Sequence, residues 1–343
     1  MARVVAVPAR PRIGRPASDA GPAPAPHAAR VGEEPRTALT PPALLCVLAA
    51  CSADPATGGG ADAAGPAQEA SPTPTGPPGT LFDDFDYTGA DDPSLAAHGW
   101  EIRTGGGGPG IKDTWSADGA AFPSDPTAKG GKVLRLRSST DGTEQGTTQV
   151  EAQTTSRNFF TGTFAARVHL SDRPTSGRDG GHVVQTFFPI SPSDSSENYS
   201  ELDFAYLPNG GWGSVGPQLD NVSRYKADPP DRVHNTLKRR LEGWHTVMIT
   251  AMGGKVAYSL DGKELFTSSG KYVPREQMDI HFSNRLIDLP FTGGPRVWDM
   301  KVDSVYYKAD ETVSPADVQK TVDDFHSTGT GTGTDYIDTV PKP

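Results

Sequence analysis

Two carboxylates alternate with apolar side chains in residues 199–207, which read Tyr-Ser-Glu-Leu-Asp-Phe-Ala-Tyr-Leu. If this stretch is a β-strand, Glu201 and Asp203 lie on one face of a sheet, because successive side chains of a strand point to opposite faces. The other face then carries an apolar row that can be buried between two sheets: Leu202, Phe204 and Tyr206. Retaining cleavage of a glycosidic bond needs a carboxylate nucleophile and a second carboxyl group, about 5–5.5 Å away, as acid/base. Two neighbouring carboxylates on an open sheet face fit that chemistry.

The same stretch resembles the active-site strand of glycoside hydrolase family 16, whose motif is Glu-x-Asp-x-Glu, sometimes with one bulged residue before the last Glu. In that family the first Glu is the nucleophile, the Asp assists it and the last Glu is the acid/base. The resemblance implies that Glu201 is the nucleophile and Asp203 the assisting residue. The acid/base position falls on Ala205, or on Tyr206 if the strand is bulged. Unbroken alternation favours the unbulged interpretation, so we expect Ala205 to be an empty acid/base position.

Several further short segments, separated by Gly, Pro, Asn and Asp, predict an all-β sandwich. Some of them resemble family 16 as well, including the Gly-x-Phe-x-Ala-Arg pattern of residues 162–167 and the Trp-His…Tyr-x-x-Asp-Gly pattern of residues 244–262. The resemblance covers residues 81–307. It implies a two-sheet antiparallel β-sandwich, the concanavalin A-like jelly roll, which we place at residues 80–308.

A short helix is predicted in the C-terminal part, residues 309–343. Ser314 is placed as N-cap, Pro315 as the first helical residue and Asp317 as the partner in a variant of the capping box. The apolar side chains expected to pack on the outside of the sandwich are Val313, Val318, Val322 and Phe325. Alternating Thr and Gly in residues 328–334 predict a flexible tail.

The N-terminal 79 residues are predicted to lie outside the folded domain. An apolar run at residues 43–50 is too short to span a bilayer, and it ends in Leu-Ala-Ala-Cys51, which resembles a bacterial lipoprotein signal. Residues 1–51 are therefore predicted to be an extension and signal, with acylation of Cys51 as the membrane anchor. An ordinary secretory signal and a chance Ala-rich run are the alternatives. Residues 52–79 are predicted to be a flexible linker.

Aromatic residues near the carboxylates are candidates for sugar binding, because aromatic rings pack against the C–H groups of sugars. Trp212, which follows Asn-Gly-Gly, is the first candidate, and an equally good alternative is that it anchors a loop. Tyr199 and Tyr225 are weaker candidates for the same role. Of the neighbours Phe187 and Phe188, one is expected to face the core and the other the cleft.

Composition narrows the choice of partners. The chain has 42 acidic and 32 basic residues, a formal net charge of −10, so a nucleic-acid partner is not expected and polyanionic substrates are slightly disfavoured. The eight histidines show no metal-ligand spacing. No cofactor is expected; family 16 proteins often hold a structural calcium ion, but no Asp-rich loop here specifies one. We expect a monomer whose contact with the membrane is only through its lipid anchor.

Taken together, these features predict an extracellular, retaining endo-β-glycosidase of the family 16 type that acts on a β-glucan or galactan. Because Ala205 lacks a carboxyl group, we expect hydrolysis to be weak or absent. The alternative is a non-catalytic glycan-binding module at the cell surface, and a third possibility is a structural surface protein without a ligand. Carboxylates on the floor of an open groove would favour the enzyme ancestry.

Overall fold

The computed structural model describes residues 76–289, 294–327 and 335–342. The predictions for the N-terminal extension, the signal with Cys51, most of the linker and the Thr/Gly segment lie outside these residues. No helix in the described ranges is long and apolar enough to cross a membrane.

The described chain is mostly β-structure. Its strands, in chain order, are β1 (Thr80–Asp83), β2 (Trp100–Ile102), β3 (Ala120–Ala121), β4 (Leu134–Thr140), β5 (Val150–Thr154), β6 (Gly162–Leu170), β7 (Val183–Ile190), β8 (Glu201–Leu207), β9 (Gly210–Gly211), β10 (Ser214–Val215), β11 (Gln218–Lys226), β12 (Asp231–Leu237), β13 (Gly243–Met252), β14 (Lys255–Leu260), β15 (Lys263–Ser269), β16 (Asp279–Leu286), β17 (Arg296–Ala309) and β18 (Tyr336–Asp338). Two α-helices, α1 (Pro93–Ala97) and α2 (Pro315–Ser327), accompany them, with 3₁₀ turns at Ala117–Gly119 and Gly270–Tyr272.

The strands form two large antiparallel sheets. The first sheet has the order β15-β14-β13-β6-β17-β1-β18, with β4 also paired to β17 and β3 to β4. The second has the order β12-β11-β8-β7-β16-β5-β2, and β9 and β10 form a separate hairpin. This arrangement confirms the predicted all-β, two-sheet antiparallel fold.

One apolar core joins the inner faces of the two sheets. Its largest fully buried side chains include Phe164 and Tyr307 from the first sheet and Phe187 and Phe282 from the second. The rings of Phe187 and Phe282 stack at 5.1 Å between centroids. Every second residue of these strands is buried in the core. The intervening residues of the second sheet therefore point away from it.

Helix α2 packs on the outer face of the first sheet, as predicted. Ser314 accepts a hydrogen bond from the backbone N–H of Asp317 (3.2 Å), and this bond caps the first turn. Val318 and Val322 are buried in a second apolar cluster, against which Val313 and Phe325 also pack. The chain after the helix is not only a flexible tail, however, because β18 pairs with the edge strand β1 in an antiparallel register.

Candidate functional site

Strand β8 lies in the interior of the second sheet, where it pairs with β11 on one side and β7 on the other. Both registers run along β8 without a bulge. Leu202, Phe204 and Tyr206 are buried in the core. Glu201, Asp203 and Ala205 therefore share the opposite face, which we call the carboxylate face. Strand β8 is therefore unbulged, as expected, and Ala205 rather than Tyr206 lies on the same face as Glu201 and Asp203.

Glu201 and Asp203 are held together by one arginine. The Nε of Arg224, on β11, lies 3.0 Å from Oε2 of Glu201 and 3.2 Å from Oδ2 of Asp203. The hydroxyl of Tyr199 donates a second hydrogen bond to Oε2 of Glu201. The side chains of Glu201 and Asp203 are only 13% and 6% exposed, so these donors replace most of the water that would otherwise solvate the two carboxylates.

The pKa of Glu201 is raised well above its usual range. Burial is the largest cause, followed by the negative charge of Asp203, and together they outweigh the opposing effects of Arg224 and Tyr199. The pKa of the Tyr199 hydroxyl is also raised, by burial and then by the charge of Glu201. Glu201 therefore retains its proton above the pH at which an isolated glutamate would lose it.

Ala205 packs against apolar side chains. It is buried in a small cluster with Val184 and Leu207, and Ile287 packs against this cluster. Thr186 on β7 is the register partner of Ala205 on one side. No carboxylate is supplied at this position by the strand itself.

Asp220, on β11, is the register partner of Ala205 on its other side. Its Oδ1 accepts a hydrogen bond from the hydroxyl of Thr236 on β12 (2.6 Å), and its Oδ2 accepts one from Nε2 of Gln218 (2.9 Å). Asp220 is therefore a direct neighbour of Ala205, and both of its carboxylate oxygens are hydrogen-bonded to side chains of β11 and β12.

A second cluster of charges lies on the same face, on β5 and β16. Glu151 forms an ion pair with Nη1 of Arg103 (3.1 Å). The ring of His281 lies 3.5 Å from Oε1 of Glu151 and 3.8 Å from Oδ2 of Asp279. The two distances to His281 are those of charge contacts and exceed the length of a good hydrogen bond.

The pKa of Glu151 moves in the opposite direction from that of Glu201. Burial raises the pKa of Glu151, but His281, Arg285 and Arg103 lower it by more, so the net pKa lies below the ordinary value. For His281, burial lowers the pKa, while Asp279 and Glu151 raise it to a net value above the ordinary one. Glu151 and His281 thus favour their charged forms, as expected for buried groups that have partners of opposite charge.

Arg285 lies between the two clusters. Its Nη1 donates a hydrogen bond to Oγ of Ser283 (2.6 Å) and lies 3.5 Å from Oγ1 of Thr186, the neighbour of Ala205. Its Cζ is 5.9 Å from the centroid of the Phe188 ring. Phe187 is in the core, so the prediction that these two phenylalanines face opposite sides is confirmed.

The three aromatic candidates for sugar binding have different environments. Trp212 is 64% exposed, in the loop between β9 and β10, so it is not packed into the protein as a loop anchor. Tyr199 is only 2% exposed and points its hydroxyl at Glu201, so its ring is not available as a stacking surface. The ring of Tyr225 is covered by the guanidinium of Arg275, at 4.0 Å from the centroid, and by the ammonium of Lys271. The structure therefore corrects the prediction for Tyr199 and Tyr225 as sugar-stacking residues.

The described residues contain no group of three or more His, Cys, Asp or Glu side chains placed to hold a metal ion. Asp303, which is fully buried, is paired with Nη1 of Arg167 (2.5 Å). The described ranges therefore contain no such cluster for a structural calcium ion. The chemistry proposed for this protein does not involve one.

Sequence reasoning did not identify Arg224, Glu151, Arg103 or Arg285 as site residues. The sequence did contain a signal for these residues. Glu151 lies between Val150 and Ala152 in an alternating strand, and Arg224 and Arg285 also lie in alternating strands. A polar residue between two core residues of such a strand is predicted to lie on the open face. The pattern does not predict which strands pair with each other, and this pairing determines which carboxylate each arginine contacts.

Comparisons with known proteins address the fold. No family model matches the sequence, and no curated protein matches it significantly. Among solved structures, the β-glucanase of Bacillus licheniformis is 14% identical with a TM-score of 0.50, and the match covers 67% of this chain and 98% of that one. A glycoside hydrolase family 16 protein of Bacteroides ovatus, solved with the product G4G4G3G, is also 14% identical with a TM-score of 0.50, and the match covers 65% and 98% of the two chains. This chain therefore has the fold of the family 16 endo-glycosidases.

Proposed function

We propose that this protein binds a β-linked polysaccharide in the manner of a retaining endo-β-glycosidase and hydrolyses it weakly or not at all. The observation that carries the proposal is the buried pair of Glu201 and Asp203, bridged by Arg224 on the face of the second sheet that points away from the core. A buried pair of carboxylates in which one member, Glu201, has a raised pKa is more typical of a chemical site than of a solvated strand.

In the first half of the reaction, Glu201 attacks the anomeric carbon and forms a glycosyl-enzyme. The attack needs Glu201 in its charged form. Asp203 raises the pKa of Glu201, while Arg224 and Tyr199 lower it and so stabilise the charged form of Glu201. Asp203 is thus a partner that regulates the charge of the nucleophile.

The second requirement, a proton donor for the leaving sugar, is absent at Ala205. The same group would activate water in the second half of the reaction, so both steps are impaired. General acid/base catalysis contributes about 10²–10⁴-fold in rate, or roughly 3–5 kcal/mol. A natural glycan, whose leaving group needs a proton, is therefore a poor substrate.

The substrate class follows from the fold and from one exposed aromatic side chain. The Bacteroides ovatus structure of the same fold was solved with a glucan oligosaccharide. Trp212 offers an exposed ring in the loop that follows β8, where a sugar of a bound chain can pack against it. A soluble β-glucan or β-galactan is the polysaccharide that we propose for testing.

Replacement of Ala205 tests the proposal. Ala205→Glu is expected to raise the release of reducing sugar from the correct polysaccharide by about 10²–10⁴-fold. Ala205→Gln is the matched control, because it has nearly the same volume but cannot donate or accept the proton in the same way. Adding Glu201→Gln to Ala205→Glu is expected to abolish the gain. If Ala205→Glu stays inert on every β-glucan and β-galactan, the hydrolase ancestry no longer operates at this site.

We also propose that the protein is held outside the cell by acylation of Cys51, which the lipoprotein-type sequence before it supports. A Cys51→Ser variant is expected to move from the membrane fraction to the soluble fraction, with an unchanged unfolding transition. Cys46→Ser is the control, since that residue lies inside the apolar run and would be removed with the signal. Retention of Cys51→Ser in the membrane fraction would contradict this proposal.

A further inference from the structure

Arg285 carries a positive charge into the centre of the carboxylate face. The backbone of Arg285 pairs with that of Val184 on β7. Its side chain, however, reaches Ser283 and Thr186, so the guanidinium lies one row of residues further along the sheet. That row is the row of Ala205, because Thr186 and Ala205 are register partners. The guanidinium therefore lies next to the empty acid/base position.

The arginines around it are paired and Arg285 is not. Arg224 has Glu201 and Asp203 as partners, and Arg103 has Glu151. Within the described residues, the hydrogen-bond partners of Arg285 are two neutral hydroxyls, and both are reached through Nη1. Its Nε and Nη2 form no hydrogen bond there and keep some exposure to solvent.

A half-buried guanidinium with two nitrogens that form no hydrogen bond within the described residues is a site for an oxyanion. Burial lowers the pKa of Arg285, while the charges of Glu151, Asp203 and Glu201 raise it by less. The planar fork of an arginine matches a carboxylate or a sulfate with two parallel hydrogen bonds. Ala205, the register partner of Thr186, has no side chain that could pair with this fork.

We propose that Arg285, beside Ala205, forms a subsite for an acidic substituent of the bound glycan, either the carboxylate of a uronic acid or a sulfate ester. This inference rests on the proposed function and narrows its substrate class from neutral to acidic polysaccharides. The net charge of −10 disfavours the binding of an acidic glycan. Interactions between exposed charges, however, are largely screened beyond about 8 Å at physiological salt. A buried arginine in direct contact with the ligand is screened much less, so the local charge decides.

Two matched pairs of polysaccharides test the inference by isothermal titration calorimetry on the unmodified protein. One pair is a β-glucan before and after oxidation of its C6 hydroxyls to carboxylates; the other is a β-galactan with and without sulfate esters. We expect one acidic form to bind at least about tenfold more tightly than its neutral counterpart, and the preference to weaken with added salt. The pair that shows the preference identifies the substituent.

Variants separate Arg285 from the overall charge. Arg285→Gln is expected to remove the preference while leaving the affinity for the neutral form within about twofold, and Arg285→Lys to keep only part of it. Arg135→Gln is the control, because it removes the same charge from the first sheet, on β4. Equal affinity for both members of both pairs, or an unchanged preference in Arg285→Gln, would overturn the inference and leave the proposed function standing. Failure to bind any of the four polysaccharides would overturn both.

Discussion

The carboxylate face carries two buried glutamates, Glu201 and Glu151, whose pKa values are shifted in opposite directions. Both side chains are nearly inaccessible to water, and both contact an arginine. The two glutamates differ in their second charged neighbour. Glu201 shares its arginine with another carboxylate, Asp203, whereas Glu151 has an additional cationic partner in His281.

Burial alone therefore does not decide the charge of these groups. An excess of carboxylates over cations makes Glu201 hold a proton, and an excess of cations fixes Glu151 as a carboxylate. A group that can change its charge is suited to chemistry, and a group that keeps its charge is suited to holding a structure or a ligand in place. Under the proposed function, this comparison favours Glu201 as the reacting group and Glu151 as a supporting residue.

The largest expected difference between the two glutamates is in covalent chemistry. An activated aryl β-glycoside, whose leaving group needs no proton, is expected to react once with the unmodified protein and to remain attached to Glu201, because no base at Ala205 activates water. Intact-protein mass spectrometry followed by peptide mapping detects this adduct. Azide, which fits the space at Ala205 and needs no base, is expected to release the sugar as its azide derivative.

Glu201→Gln is expected to abolish the adduct, and Glu151→Gln to leave its formation intact. An adduct mapped to Glu151, or one that still forms in Glu201→Gln, would reverse the assignment. The absence of any adduct with glucosides and galactosides, together with an inert Ala205→Glu variant, would replace the enzyme ancestry with the glycan-binding module.

A smaller difference is expected in stability. Glu151→Gln leaves Arg103 and His281 without their carboxylate and is expected to cost about 3–5 kcal/mol of unfolding free energy at neutral pH. Glu201→Gln resembles the protonated glutamate and relieves repulsion with Asp203, so it is expected to be neutral or stabilising there. Urea unfolding of the three proteins, followed by tryptophan fluorescence, measures both values.

The pH dependence of the same measurements has opposite signs for the two residues. The folded-state pKa of Glu201 is raised, so its contribution to stability is complete below the unfolded-state pKa and is lost as the pH rises through the folded-state value. The folded-state pKa of Glu151 is lowered, so its contribution is present above the unfolded-state pKa and is lost as the pH falls through the folded-state value. The benefit of Glu201→Gln should thus grow with pH, and the penalty of Glu151→Gln should shrink in acid. The same slope in both variants would contradict the comparison.

The smallest expected effect concerns the aromatic rings. Trp212→Ala is expected to weaken polysaccharide binding by about 0.5–1.5 kcal/mol, or roughly twofold to thirteenfold, without a change in stability. Tyr225→Ala is expected to leave binding nearly unchanged and to lower stability, because Arg275 and Lys271 lose the ring that they contact. Calorimetric titration and urea unfolding distinguish the two outcomes, and a loss of binding in Tyr225→Ala alone would return the stacking role to that residue.

Local patterns in the sequence predicted much of this molecule. Alternation in residues 199–207 placed Leu202 and Phe204 in the core and Glu201 on the open face, because the two-residue period of a strand is a property of the backbone itself. Capping and apolar spacing predicted helix α2 for the same kind of reason, since Ser314 and Asp317 are neighbours on one turn. Strand β18 was not predicted, because its three residues, Tyr336–Asp338, are too few to show an alternating pattern.

The environment of each charge, by contrast, was decided only by the tertiary structure. Glu201 and Arg224 are separated by many residues and meet because β8 and β11 pair in one particular register. Arg285 reaches the row of Ala205 only because β16 lies next to β7. A strand's own sequence determines which of its side chains leave the core, since that depends on local backbone geometry. Which charges then become neighbours depends on the order and register of strands that are distant in the chain, and so the pKa values and the accessible arginine arise only in the assembled sheet.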